Sequence, residues 1–249
     1  MHGPAARLSV NRANREAAGL QPGLPLAEGL LRFGRDILAD AREAFDDPQK
    51  SGSAAVHDFR KAMKRWRAFL RVLQPAFGAE VRRPRIAARD LARRLSAARD
   101  AQSALDALAD LTKAEAPPPA RSLATITARL QALRTGVETS TLTDAARAEV
   151  AAALASAETT LAELALQDVT FAHFADGLGA SYARARAAVP DNWLTADTDA
   201  LHELRTRVVV HRYQMDLVEP LWPRLGRLWV AEAQRLRDRL GTCQDLAVL

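Results

Sequence analysis

Apolar residues recur along this chain at three- and four-residue intervals, the spacing that lays one face of a helix against a core. The pattern predicts helices over 25–46, 54–74, 84–111, 120–138, 143–166, 169–188, 198–219 and 223–246. The breaks fall where backbone chemistry puts them. Asp47-Pro48 through Gly52 reads as a turn, and the stretch 75–78 ends the second helix. Pro84 suits the first turn of the third, and Pro117-Pro118-Pro119 separates the third from the fourth. Pro190-Asp191-Asn192 and Pro223 punctuate the remainder. No segment alternates with period two for long enough to predict a strand.

The polar side of the second helix is unusual. On a helical wheel His57, Arg60, Lys61, Lys64, Arg67 and Arg71 fall within an arc of about 120°, with Arg65 beside it. Phe59, Met63, Trp66, Phe69, Leu70 and Leu73 fill the opposite arc. Like charges four residues apart destabilise a helix by a few tenths of a kcal/mol per pair. A solvated surface usually mixes signs for that reason, and this face does not. The next helix carries a second basic stripe, Arg82, Arg85, Arg89 and Arg93, opposite Leu91 and Leu95. Two adjacent cationic stripes predict a groove for a polyanion.

The pattern then recurs. At an offset of 145 residues His57-Asp58-Phe59-Arg60 is echoed by His202-Glu203-Leu204-Arg205. In the same register stand Arg67 and Arg212, Pro75 and Pro220, Leu91 and Leu236, Arg94 and Arg239, Leu95 and Leu240, and Asp100 and Asp245. The expected architecture is all-α: two pseudo-symmetric antiparallel helical bundles from an internal duplication. A loose tail is expected over 1–23 and one domain over 24–249, with repeat 1 about 24–166 and repeat 2 about 167–249. The counterpart of the 120–138 helix would fall beyond residue 249, so either the chain is cut short or the second bundle is smaller. The echo is also weaker in charge. Val209 and Val210 stand where Lys64 and Arg65 do, while Arg207 and His211 lie towards the apolar side and Tyr213 towards the ligand side. The first repeat is expected to dominate binding.

Composition sharpens this reading. A hydrophobic content of 48% supplies a core, and abundant alanine and leucine with few aromatics favours helices. The net charge is only +5, but residues 57–99 hold 13 Lys+Arg against 3 Asp+Glu. The positive charge is therefore concentrated on the two basic helices. The lone Cys243 excludes a disulfide framework and a cysteine zinc site, and fits a reducing, cytoplasmic location. No run is long and apolar enough to predict a membrane span, and the polar N-terminus lacks a signal-peptide core.

Taken together, Val56-His57-Asp58-Phe59-Arg60-Lys61-Ala62-Met63-Lys64-Arg65-Trp66-Arg67, Leu95-Ser96-Ala97-Ala98-Arg99-Asp100, and the echoes Leu201-His202-Glu203-Leu204-Arg205 and Leu240-Gly241-Thr242-Cys243-Gln244-Asp245 resemble the CHAD domain, the conserved histidine α-helical domain. The resemblance spans about 25–249. It implies two pseudo-symmetric helical bundles that bind inorganic polyphosphate in a basic groove, in association with polyphosphate granules. By position it implies binding through His57, Arg60, Lys64, Arg65, Arg67 and the following basic stripe, and through His202, Arg205 and Arg212. The acidic N-terminal motif of the CYTH phosphatase domain, often joined to this family, is not found here, and no triphosphatase activity is expected.

Alternatives stand beside each residue. His57 and His202 serve either as phosphate donors or as hydrogen-bonding groups near a helix start; a metal site would need several converging ligands. Asp100 and Asp245 suit anchoring a basic side chain better than touching phosphate. His173 and His211 read as core or surface residues, and Trp66, Trp193, Trp222 and Trp229 as packing. The expected function is non-catalytic polyphosphate binding, with no cofactor and no membrane partner. Nucleic acid or another polyanion is the alternative ligand, without a recognition motif to favour it. Phosphoanhydride hydrolysis would need a carboxylate-held metal or a nucleophile with its base, and the basic helices hold few carboxylates.

Overall fold

The apolar periodicity becomes helix throughout a computed structural model that describes residues 19–47, 49–95, 119–141 and 143–247, with positions 105, 108, 109 and 112 between them. Nine α-helices stand among the described residues: α1 (Leu26–Asp46), α2 (Gly52–Val72), α3 (Gln74–Phe77), α4 (Ala79–Arg94), α5 (Ala120–Thr141), α6 (Asp144–Glu163), α7 (Phe171–Ala187), α8 (Thr198–Val218) and α9 (Pro223–Ala247). Side-chain caps start several of them. Ser51 accepts from the Ala54 amide at 3.3 Å, Thr143 from Ala146 at 3.2 Å and Asp197 from Ala200 at 2.7 Å. Thr170 and His173 form a reciprocal capping box, which assigns His173 a structural role.

One boundary differs from expectation. The chain leaves α2 through the single turn of α3 and reverses at Gly78, whose φ of 52° only glycine tolerates readily. α4 therefore starts at Ala79, and Pro84 lies inside it and not in its first turn. At the N-terminus, Leu20 is buried and its amide donates to the Leu217 carbonyl at 2.9 Å, so the packed chain begins before residue 24. The rest of the predicted tail, 1–18, lies outside the described residues, as do 96–104 of the third predicted helix.

α2 is the hub. It packs against α1, α4, α7 and α8. Phe59, Met63, Trp66, Phe69, Leu70 and Leu73 are all buried, as the wheel predicts. Trp66 lies 5.5 Å from Phe69, and Phe69 lies 5.9 Å from Phe33 of α1. Each such aromatic removes enough apolar surface from water to contribute a few kcal/mol. α6 packs on α1, where Gly34 leaves room for Leu161 beside Phe69 of α2; a Cβ there would stand 2.9 Å from the leucine methyl groups.

The order long helix, long helix, short turn, long helix occurs twice, as α1–α2–α3–α4 and as α7–α8–turn–α9. The starts of α1 and α7 are 145 residues apart, those of α2 and α8 are 146, and those of α4 and α9 are 144. α2 and α8, the two histidine–arginine helices, pack on each other, and Gln214 donates to the Ala68 carbonyl at 3.0 Å. The cores are unequal. The main cluster belongs almost wholly to the first half, while Leu204, Val208 and Leu240 form a small separate one in the second.

Candidate functional site

The basic face of α2 points away from the core along its whole length. His57, Lys61 and Lys64 are exposed, and Arg60, Arg67 and Arg71 are half-buried. Lys50 takes up Asp58, the acidic residue beside His57, at 2.9 Å, which raises the Lys50 pKa through that hydrogen bond. α4 lies alongside and presents Arg82, Arg89 and Arg93 to solvent, with Arg85 half-buried towards α2. The two predicted stripes thus share one surface.

Charge concentrates at the C-terminal end of α2. Burial first, then the neighbouring charges of Arg71 and Arg89, lowers the Arg67 pKa. Burial, then Arg184 and Arg207, lowers that of Arg71. Arg85 shifts furthest, to about 10, through burial and the charges of Arg71, Arg67 and Arg184. All three stay protonated at neutral pH, so the folded, empty protein carries their mutual repulsion there. That penalty fades only as pH rises through the depressed folded values. Among the described residues no carboxylate lies within ion-pair distance of Arg67, Arg71 or Arg85. The Arg67 Nε is buried with no hydrogen-bond acceptor. Arg85 is held in place by the Gln74 side-chain oxygen at 2.5 Å. A half-buried cation cluster of this kind is unfavourable alone and favours an anion strongly, because the dielectric there is below that of water.

Other predicted residues are already matched. Arg65 donates to Asp40 of α1 and lies over the Phe33 ring, so it faces the acidic edge of α1. Arg89 pairs with Asp90 at 2.8 Å. In the second half His202 is exposed, and Arg205 lies with its guanidinium against Gly241 of α9. Arg212 pairs with Asp216 at 3.4 Å and covers the Tyr213 ring at 4.6 Å. Tyr213 is buried, which corrects its expected place on the ligand side. His211 is buried and accepts from the Trp229 indole at 3.1 Å; burial pushes its pKa down and keeps it neutral. Trp66 is in the core and Trp229 packs on His211 and Tyr182, as expected, whereas Trp193 and Trp222 are exposed on the second half, where packing was expected. Asp100 and the side chain of Asp245 lie outside the described residues.

Two basic residues of the site escape a sequence reading. Arg184 of α7 and Arg207 of α8 stand close enough to Arg71 to lower its pKa. Neither has a basic counterpart at the 145-residue offset, where Ala39 and Ala62 stand. The available signal is Arg207 on the apolar side of α8, since a cation at a helix–helix boundary needs an anion or a cleft.

Among the described residues, no three His, Cys, Asp or Glu side chains gather where they could hold a metal ion, and no helix is long and apolar enough to cross a membrane. Residues 32–249 match the protein family described as CHAD domain. A comparison with curated proteins finds no match.

Proposed function

The chain belongs to the CHAD domain family, and on that premise we propose that it binds inorganic polyphosphate without catalysis, in the basic groove between α2 and α4 and against the second half. One observation carries the reading: Arg67, Arg71 and Arg85 gather half-buried, with no matching carboxylate among the described residues, where the two basic stripes meet.

A linear phosphate polymer offers about one negative charge per unit and no bases. It is held by charge and by hydrogen bonds to its oxygens. Arginine suits this because its planar fork donates two parallel bonds to one phosphate, while lysine acts as a point charge. Exposed His57, Lys61 and Lys64 extend the surface along α2, and Arg82, Arg89 and Arg93 extend it along α4. The bound polymer relieves the repulsion among the buried cations, so binding and folding are linked and the ligand raises the melting temperature. Attachment to polyphosphate granules in the cytoplasm is the biological use this chemistry favours. Phosphate release assayed with magnesium or manganese tests the non-catalytic reading, and turnover would refute it.

Competition separates polyphosphate from nucleic acid. Long-chain polyphosphate is expected to displace a labelled oligonucleotide from the groove at far lower concentration than the reverse exchange requires. An oligonucleotide that displaces polyphosphate as readily would assign the groove to nucleic acid.

A further inference from the structure

We propose that residues 1–18 fold back across the turn between α8 and α9 and cover an apolar strip made by Leu221, Trp222, Leu225 and Leu228. The segment is then a cover and not a loose tail, and the strip is separate from the basic groove.

These four large apolar side chains stand exposed, Trp222 at 67% and Leu228 at 59%. Leu225 and Leu228 lie three residues apart on one side of α9, and Leu221 and Trp222 lead directly into that helix. Trp229 borders the strip and ties it to the Tyr182 ring of α7 at 5.9 Å. The exposed Arg224 and Arg227 stand between its members. The repeated pattern does not account for it. At the 145-residue offset the exposed Glu80 and Arg83 stand where Leu225 and Leu228 do. Phe77, the counterpart of Trp222, packs on the main core. A contiguous apolar strip with a polar border is the mark of a surface that something covers.

Where the segment ends selects it as the occupant. The Leu20 amide donates to the Leu217 carbonyl at 2.9 Å, and a Cβ on Gly19 would stand 2.9 Å from Pro220 Cγ. Leu221 and Trp222 follow Pro220 directly, so residue 18 is delivered to the start of the strip. From Leu221 to Leu228 the strip runs only about 10 Å at a helical rise, well within reach of the segment. Its side chains also match. Leu8 and Val10 are apolar, and Arg7, Arg12 and Arg15 outnumber Glu16. Asp216 and Glu219 stand at the turn the segment crosses. Burial first, then the Asp216 charge, raises the Glu219 pKa, with Arg227 opposing, so this turn favours added cations. Tethering favours the segment over a second copy of the chain, because a short link holds it near the strip at an effective concentration of about a millimolar.

Hydrogen exchange and acrylamide quenching of tryptophan fluorescence, on the dilute full chain without ligand, test the cover. Amides of residues 8–17 are expected to exchange at least about tenfold more slowly in the parent than in Leu8→Asp with Val10→Asp. The same double variant exposes Trp222 and is quenched more strongly than the parent. Trp222→Lys, a change at an already exposed position, is expected to speed exchange of the same amides from the other side of the contact. Arg12→Glu with Arg15→Glu does so as well, through repulsion from Asp216 and Glu219. If amides 8–17 exchange in the parent as fast as in all three variants, the cover is refuted. A parent that is dimeric, whose quenching rises on dilution and is unchanged by the Leu8 and Val10 substitutions, refutes it too and assigns the strip to a second copy.

Discussion

Replacing Arg67, Arg71 and Arg85 together by glutamine is expected to lower the affinity for long-chain polyphosphate about a thousandfold, at a net 1.5–3 kcal/mol per hydrogen bond to a charged group and with some overlap between the three. The same change is expected to raise the melting temperature of the unliganded protein. The two effects share one cause. Burial and like charge disfavour the protonated guanidinium at each position, and most strongly at Arg85, whose pKa falls to about 10. At neutral pH this cost is fully present in the empty fold, and a phosphate chain removes it. Glutamine keeps part of the apolar stem that packs and discards the charge. Arg205→Gln with Arg212→Gln is expected to cost much less, because Arg212 is already paired with Asp216 and lies over Tyr213. Titration calorimetry and melting curves on both variants check the pair. A triple variant that melts lower and binds as before would make these arginines structural.

The second large effect lies in the fold. Gly177→Ala puts a methyl group 2.0 Å from the Val72 carbonyl oxygen, a distance no real contact allows, so α7 must move off α2. Overpacking against backbone costs about 3 kcal/mol, and in a chain of this size that lowers the melting temperature by about 8 °C. Gly179→Ala, two residues along the same helix, meets nothing within 4 Å. It is expected to stabilise by about 0.5–1 kcal/mol, because alanine restricts the unfolded chain and favours helix. Circular dichroism melts of the two variants have opposite expected signs. Gly177→Ala should also weaken polyphosphate binding, since a displaced α7 carries Arg184 away from Arg71.

The helices were legible because their signals are local. A three-to-four residue apolar period, Ser, Thr or Asp at the caps and proline at the breaks act within one or two turns, and α1, α2 and α6 through α9 begin and end within three residues of where those signals put them. The basic face of α2 was legible for the same reason. What was not legible depends on packing between helices. Arg65 looked free on the wheel because Asp40, its partner, lies 25 residues away on another helix. Arg184 was passed over and Arg207 was noted only for its place on the apolar side, because neither belongs to the repeated motif; the packing of α7 and α8 on α2 brings them to Arg71. Trp193 and Trp222 read as packing residues but stand in the turns before α8 and α9 and are exposed there, whereas Trp229 does pack, on His211 and Tyr182. The start of α4 moved because Gly78 reverses the chain one turn earlier than Pro84 alone would imply.

The central claim is that the half-buried arginines of α2 and α4, which have no carboxylate partner among the described residues, hold a phosphate polymer by charge. The most direct test is the affinity for long-chain polyphosphate measured from about 50 to about 300 mM salt, where roughly ten contacts predict a log–log slope of about −7. An affinity that stays constant across that range would contradict the account.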